Sequence, residues 1–218
     1  MKKLSSFVYS IIGGACIGIG GTIYLSLDNR IAGAILFALG LFTICVNGFN
    51  LFTGKVPYLF ENKSSYLLFL GSVWLGNLVG AGGVGYLIRA TRVSGIAEKA
   101  AALCTAKLND NLLSIFILSI FCGILMYIAV DNFRINSNDF GRYIGIFTCV
   151  PVFILCGFEH CIANMFYFSV ANMWGAKTLL YLVVMTLGNG VGGVLFPVAR
   201  QLKNRAEARD VRDTAGKL

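Results

Sequence analysis

Six long windows with almost no charge constrain this chain more than any other feature of its sequence. The windows are 4–27, 31–54, 64–88, 111–130, 143–176 and 178–199, and Glu159 is the one Asp, Glu, Lys or Arg inside them. Roughly 20 apolar residues in a helix cross the hydrocarbon core of a bilayer. The sequence therefore predicts an all-α membrane protein with six transmembrane helices. A soluble domain is excluded, because only 13% of the residues are charged, against about 25% in soluble proteins.

The first window is longer than the core of a signal peptide and five further windows follow it, so we expect it to be retained as the first helix. We expect the 218 residues to form a single channel domain. Its halves lie at approximately 4–88 and 111–200, and a basic tail occupies 201–218.

The distribution of basic residues predicts the orientation in the membrane. An even number of spans places both termini on one side, and the net charge is +8. Six of the 18 Lys and Arg residues fall on the opposite side: Arg30, Arg89, Arg92, Lys99, Lys107 and Lys177. The remaining twelve share the side of the termini, which the positive-inside rule identifies as cytoplasmic. The basic tail is then a topology signal that also suits anionic lipid, and no nucleic-acid partner is expected.

Two of the spans share a motif that indicates an internal repeat. Segments 75–80 and 187–192 both have the pattern L-G-N-x-V-G. Because the copies lie three spans apart, they must run in opposite directions across the membrane, which predicts an inverted 3+3 repeat. The Gly-x-x-x-Gly spacing also favours close helix packing. A chance pair of packing motifs in a glycine-rich chain is the alternative interpretation.

The second and fifth spans carry signs of a break at membrane depth. Gly48 and Gly54 bracket the polar Asn50 and Thr53 in the second span. The fifth window holds Pro151 and the run 157–160 (G-F-E-H), and its 34 residues exceed one crossing. Irregular backbone is tolerated inside a membrane only where it lines a cavity. Breaks at matching places in two halves therefore predict a transport site between them.

His160 is the only histidine in the chain and lies near the middle of the fifth span. Ionisable groups inside a membrane are costly and indicate function, although a structural hydrogen bond is the alternative. Burial disfavours the imidazolium, so His160 is expected to be neutral at rest, and an anion beside it would favour its charged form. Glu159 does not share a helix face with His160. It is interpreted as a structural group at the start of the second half-helix.

Other polar residues offer less. Arg89, Arg92, Lys99 and Lys107 lie in or beside the predicted loop between spans three and four, where they are either solvated or attract anions to a pore mouth. The seven cysteines contain no C-x-x-C pair and are interpreted as packing residues. No arrangement of nucleophile and base or of metal ligands stands out. We therefore expect no enzyme activity, no metal ion and no cofactor.

The segment 157–166, G-F-E-H-C-I-A-N-M-F, resembles the signature of the formate/nitrite transporter family. The resemblance covers essentially the whole chain, including the L-F-T-G sequence at 51–54. It implies an aquaporin-like protomer and a homopentamer with one pore per subunit. The substrates of the family are formate, nitrite, hydrosulfide, lactate or acetate.

The resemblance also assigns roles to individual residues. His160 is similar to the central pore histidine of the family, Thr53 to its loop threonine, and Lys107 to a lysine before the fourth span. Asn164 and Asn189 match family asparagines, and we expect them to line the pore with these three residues. Phe37 and Phe153 match an outer constriction, and Leu41, Leu51 and Phe52 lie near an inner one. The chain departs from the family pattern at Phe49, Asn50 and Gly123. Substrate preference and gating are therefore not implied.

These observations predict a channel in the cell membrane that passes small monovalent anions or their neutral acids. In this hypothesis His160, placed between hydrophobic constrictions, couples the passage of the anion to protonation. One alternative is a neutral-solute channel for water, ammonia or urea, which would have a similar repeat. Another is a membrane structural subunit that conducts nothing. A flux assay separates the three.

Overall fold

The computed structural model describes the backbone of residues 2–215 and the side chains of residues 3–208. Within this range the chain is almost entirely α-helical and contains no β-strand. Four of the basic side chains that contribute to the predicted topology signal lie outside the described residues: Lys2, Arg209, Arg212 and Lys217.

Nine α-helices and one 3₁₀ helix account for the described chain. The α-helices are α1 (Lys2–Ser26), α2 (Arg30–Asn47), α3 (Phe52–Lys55), α4 (Tyr66–Arg89), α5 (Ile96–Leu108), α6 (Leu112–Ile135), α7 (Asp139–Leu155), α8 (Cys161–Ala171) and α9 (Ala176–Ala215). The 3₁₀ helix Val56–Glu61 follows α3 directly.

Helices α1, α2, α4, α6 and α9 are long and apolar enough to cross a membrane. They correspond to five of the six predicted windows. The sixth, 143–176, is divided between α7 with 17 residues and α8 with 11. The predicted all-α membrane fold is confirmed, whereas the inverted sense of the repeat stays a prediction.

Both predicted breaks are present, and each begins at a glycine. Gly48 follows α2 with φ 69° and Gly157 follows α7 with φ 71°. Side chains with a Cβ resist positive φ, so these glycines determine where the helices stop. The helix resumes at Phe52 after the first break and at Cys161 after the second. Pro151 lies inside α7 and does not itself mark the break.

The predicted loop between the third and fourth spans is wrong in part, because 96–108 folds into helix α5. Its alanine-rich sequence has a high helix propensity. Its buried residues recur at every fourth position and pack towards α8: Ile96, Ala100, Cys104 and Leu108. The other faces of α5 carry charged residues, so a search for charge-free windows in the sequence does not detect this helix.

The two L-G-N-x-V-G motifs pack two helix pairs in the same way. Helix α4 lies against α1, and α9 lies against α6. A Cβ added to Gly80 would collide with the carbonyl oxygen of Ile11, and one added to Gly192 would collide with that of Ile120. The paired backbones therefore touch directly, as the Gly-x-x-x-Gly spacing predicts.

Gly123, a departure from the family pattern, has a steric explanation. A Cβ at Gly123 would collide with the backbone of Asn189. Gly14 stands in the same relation to Asn77 in the other half of the chain. An asparagine at position 123 has no space in this packing.

Candidate functional site

The two broken helices meet at a buried polar pair. Thr53 lies in the first turn of α3, and His160 is the N-cap residue of α8. Thr53 Oγ1 is 3.0 Å from His160 Nε2, although the residues are 107 positions apart in the sequence. Their exposed fractions are 1% and 2%. The breaks thus bring together two of the residues that the sequence singles out.

The hydrogen bonds of His160 define its neutral tautomer. The backbone N–H of Ala163 donates to His160 Nδ1 at 3.1 Å. Nδ1 therefore carries no hydrogen, and a neutral ring must hold its hydrogen on Nε2, which donates to Thr53 Oγ1. The Thr53 hydroxyl keeps its own hydrogen, for which the described part of the chain offers no acceptor. A solute would have to reach the buried pair to accept this hydrogen.

Apolar side chains flank this polar pair. The Phe153 ring stacks on His160 with centroids 5.6 Å apart, and Phe37 meets Phe153 edge to face at 6.0 Å. Leu41 follows Phe37 by one turn on α2, and Leu51 is the N-cap residue of α3. Both leucines are 1% exposed. Phe52, the first residue of α3, is also buried.

Two separate cavities approach the pair. The first, which we call the Lys55 cavity, has a volume of about 330 Å³ and reaches Leu41 and Leu51. The second, which we call the His160 cavity, has a volume of about 80 Å³ and reaches Phe153 and His160. The two cavities share no lining residue. The buried apolar side chains therefore close the path between them in this structure.

The Lys55 cavity opens at the end of the molecule where α1 begins and where the C-terminal part of α9 lies. Ser6, near the start of α1, accepts a hydrogen bond from Asn50 beside this cavity. Arg200, in the C-terminal part of α9, pairs with Asp131 near the end of α6. The His160 cavity lies on the opposite side of the polar pair.

A buried ion pair lies beside the His160 cavity. Lys107 Nζ pairs with Glu159 Oε2, and these side chains are 16% and 4% exposed. Asn164 Nδ2 donates to the same carboxylate at 2.8 Å and to the carbonyl oxygen of His160 at 3.0 Å. Asn164 Oδ1 is buried and has no partner within the described residues. Asn164 also lines the cavity, so it offers an acceptor to a group that carries a hydrogen.

Asn189 holds the second break in place. Its Oδ1 accepts from the backbone N–H of Cys161 at 2.8 Å, and its Nδ2 donates to the carbonyl oxygens of Ser119 and Glu159 at 2.8 and 2.7 Å. Its side chain is fully buried and does not line either cavity. The sequence assigns Asn189 to the pore, whereas its contacts place it behind the break, where it positions His160.

Asn77 holds the first break through the matching contacts. Its Oδ1 accepts from the N–H of Phe52 at 2.8 Å, and its Nδ2 donates to the carbonyl oxygens of Ser10 and Asn50 at 2.7 and 2.8 Å. We call Asn77 and Asn189 the asparagine pins. The shared asparagine of the two motifs is the sequence signal for them, but it does not reveal which backbone groups they bind.

Several cations on the side of the His160 cavity already bind protein groups. Lys99 Nζ is 2.9 Å from Asp28 Oδ1, and this hydrogen bond lowers the pKa of the Asp28 carboxyl. Arg89 Nη1 donates to the carbonyl oxygen of Val170 at 2.7 Å. Lys107 pairs with Glu159. The predicted attraction of anions by Arg89, Arg92, Lys99 and Lys107 stays a prediction. Two of these four charges, those of Lys99 and Lys107, are compensated by carboxylates.

Comparison with known proteins gives a consistent result. Residues 1–201 match the family model described as formate/nitrite transporter. The uncharacterized transporter YrhG of Bacillus subtilis is 30% identical, with 90% of this chain and 85% of that protein aligned. The formate channel BtFdhC of Bacillus thuringiensis is 29% identical, with 87% and 82% aligned. A solved pentameric formate channel with formate bound has a TM-score of 0.80 and 24% identity, with 94% and 98% covered. These proteins are named as channels and transporters rather than enzymes.

Proposed function

This chain belongs to the formate/nitrite transporter family, and we propose that it is a membrane channel for small monovalent anions or their neutral acids, of the formate, nitrite and hydrosulfide class. One observation carries the proposal. The buried pair of Thr53 and His160 stands between two cavities and is flanked by apolar side chains. Such a pair can bind a solute that has left water on either side.

The size of the His160 cavity suits a small solute. Its volume is about 80 Å³, and a water molecule occupies about 30 Å³ in the liquid. The cavity thus accepts two or three non-hydrogen atoms of this size, which is close to the three of formate or nitrite and leaves room for the single sulfur atom of hydrosulfide. Larger organic acids would have to displace Phe153 or its neighbours.

The apolar flanks favour passage of the neutral acid. Moving a bare anion among Phe37, Phe153, Leu41 and Leu51 carries the cost of burying an unpaired charge, whereas the acid carries no such cost. In the His160 cavity an acid would donate its hydrogen to Asn164 Oδ1, and it would meet the Thr53 hydroxyl only after leaving this cavity, because Thr53 lines neither cavity. The acid would then release its proton to water in the Lys55 cavity.

We infer that His160 couples anion entry to protonation. An anion beside the ring favours the imidazolium, in which both nitrogens are donors. Charging the ring therefore breaks the bond from Ala163 N–H to Nδ1. The charged ring, which has taken its extra proton from water, gives the Nδ1 hydrogen to the anion and keeps the Nε2 hydrogen. The anion thereby becomes the neutral acid, and Nδ1 accepts from Ala163 N–H again. One proton moves with each anion, so passage is electroneutral.

We also infer a homopentamer in the cell membrane, with one pore per subunit and both termini cytoplasmic. The pentameric formate channel of the same fold supports the assembly. Large apolar side chains on the outside of the protomer, such as Leu68 at 81% and Leu87 at 70% exposure, suit lipid or neighbouring subunits. The excess of Lys and Arg on the side of the termini supports the orientation.

Replacement of His160 by Phe tests the function. Wild-type protein in proteoliposomes should show fast flux of formate, nitrite or hydrosulfide, with a rate that depends on pH. His160→Phe should lower this flux and alter its pH response, whereas Lys203→Gln, at the exposed Glu207 pair, should leave both unchanged. Equal flux and pH response in wild type and His160→Phe would refute the coupling.

The same assay separates the alternatives. Flux of water, ammonia or urea without anion flux would identify a neutral-solute channel. No flux of any solute, from protein that elutes as a single folded assembly, would favour a structural subunit.

A further inference from the structure

The Lys55 cavity is basic, and its cations come from three different helices. Lys55 is at the end of α3, Arg134 in the last turn of α6, and Arg142 near the start of α7. The other lining residues are apolar residues, glycines and one cysteine, and none carries a carboxylate. The cavity therefore presents three positive charges above an apolar floor that ends at Leu41 and Leu51.

Aromatic rings hold the two arginines of this cavity. The guanidinium of Arg134 lies 4.6 Å from the ring centroid of Tyr58, and that of Arg142 lies 4.6 Å from the ring centroid of Phe133. Arg142 Nε also donates to the carbonyl oxygen of Phe133 at 3.1 Å. Stacking fixes a guanidinium without neutralising its charge, and it leaves N–H groups free for an anion.

Carboxylates near the cavity do not balance these charges. Within the described residues, Lys55 and Arg134 form no ion pair. Arg142 pairs only with Asp139, whose carboxylate is 3.6 Å away and whose side chain is 80% exposed to solvent. Glu61 lines a neighbouring cavity together with Lys55 and Arg134, so the cations still outnumber it.

The buried Asp131 of α6 is already occupied. It accepts hydrogen bonds from Arg200 at 3.0 Å, from Tyr127 at 2.9 Å and from Tyr58 at 3.3 Å. Its charge is therefore balanced by Arg200 and is not free to neutralise the lining of the Lys55 cavity.

The Lys55 cavity differs from the His160 cavity in both charge and size. Two cations line the His160 cavity: Lys107 is paired with Glu159, and Arg30 donates to the carbonyl oxygen of Leu155. Three cations line the Lys55 cavity, and none of them has a buried carboxylate partner. At about 330 Å³ and about 30 Å³ for each water, the Lys55 cavity holds about ten water-sized groups. A triatomic monovalent anion would fill a small part of this volume and balance one charge of three.

We propose that the Lys55 cavity is a binding site for a small organic anion with two or more negative charges, which blocks the channel from this side. Its carboxylate or phosphoryl groups would bind Lys55, Arg134 and Arg142, and its carbon frame would rest on Leu41 and Leu51. A ligand in that position covers the apolar floor through which a permeating acid must leave. Monovalent substrates cannot bridge the three cations and would pass.

Direct binding to the purified full-length protein tests the site. Succinate and citrate represent organic carboxylates, 3-phosphoglycerate represents organic phosphoryl anions, and sodium chloride at equal ionic strength is the reference. We expect at least one probe to bind by titration calorimetry. Because a hydrogen bond to a charged group is worth more than a neutral one, Lys55→Gln and Arg134→Gln should each raise the Kd about tenfold or more.

Two controls keep the test decisive. Lys99→Gln removes a cation on the opposite side and should leave the Kd unchanged. Arg142→Lys keeps the charge but loses the planar group, and should bind more weakly than wild type and more tightly than Arg134→Gln. Each variant should keep the elution volume and thermal midpoint of a folded protein, so that a lost site is distinguished from lost structure.

Binding and flux fail separately. Absence of binding at millimolar probe, or equal Kd values in wild type, Lys55→Gln and Arg134→Gln, would overturn the site. Formate flux in proteoliposomes should fall when a probe that binds is added to both sides of the membrane at a concentration that fills the site. Undiminished flux under this condition would refute the proposal that the ligand blocks the channel. Binding without formate flux in the absence of probe would count against the proposed function and leave the site intact.

Discussion

Replacement of Asn189 by Leu should destabilise the protein strongly, although Leu has nearly the same shape. The Asn189 side chain satisfies three buried backbone groups: the N–H of Cys161 and the carbonyl oxygens of Ser119 and Glu159. Leucine leaves two of them without a partner, the N–H of Cys161 and the carbonyl oxygen of Glu159, because the carbonyl oxygen of Ser119 keeps its hydrogen bond within α6. Each unsatisfied buried group costs about 1–3 kcal/mol. The free energy of unfolding should therefore fall by at least about 2 kcal/mol.

Thermal unfolding of the purified protein in detergent measures this loss. In soluble chains of 150–250 residues, 1 kcal/mol shifts the midpoint by about 2–4 °C. Asn189→Leu should therefore lower the midpoint by at least about 4 °C. All variants need one heating rate, because irreversible unfolding makes the midpoint depend on it. Asn62→Leu is the matched control, since Asn62 is exposed and makes one hydrogen bond, to the carbonyl oxygen of Tyr58.

The comparison has a clear failing result. If Asn189→Leu and Asn62→Leu melt within about 2 °C of each other, the pin does not hold the break. Asn77→Leu should cost about as much as Asn189→Leu, because it removes the matching contacts in the first half. A large loss in only one of them would show that the two pins are not equivalent. Solute flux should fall in Asn189→Leu even in its folded fraction, because Glu159 and Cys161 flank His160.

Three further results are expected. Gly192→Ala should lower the thermal midpoint sharply because its Cβ would collide with a carbonyl of α6, whereas Gly190→Ala on the same helix meets nothing closer than 3.7 Å and should be tolerated; equal midpoints would contradict the packing. Lys107→Gln should cost about 3–5 kcal/mol by leaving the buried charge of Glu159 unpaired, and adding Glu159→Gln should restore part of the midpoint. Phe153→Ala should widen the constriction and raise acetate flux relative to formate flux in proteoliposomes; an unchanged ratio would exclude Phe153 from the constriction.

The breaks could be predicted from the sequence because their causes are local. Gly48 and Gly157 supply the positive φ at which each helix stops, and a glycine beside polar residues inside an apolar window is visible without any tertiary contact. The shared L-G-N-x-V-G motif likewise predicts the close helix pairs, because the small residues that permit the contact lie on one strip of each helix.

Features that depend on contacts distant in sequence were not predictable in the same way. Lys107 and Glu159 are 52 positions apart, and only the packing of α5 on α8 brings them together. Helix α5 was not predicted because its buried residues lie on one face only, so its sequence contains no long apolar window. The three cations of the Lys55 cavity come from three helices, and no spacing in the sequence indicates that they line one space.

The residues that hold the two breaks in place are different from the residues that flank the Thr53–His160 pair. The pins hold the ends of the short helices from behind, through backbone groups, while Phe37, Leu41 and Phe153 project from α2 and α7 and make none of those polar contacts. These three side chains could therefore be exchanged to change the width of the proposed pore, while the pins, the glycine contacts and the Thr53–His160 pair stay unchanged. The same fold would then support channels that select acids by size.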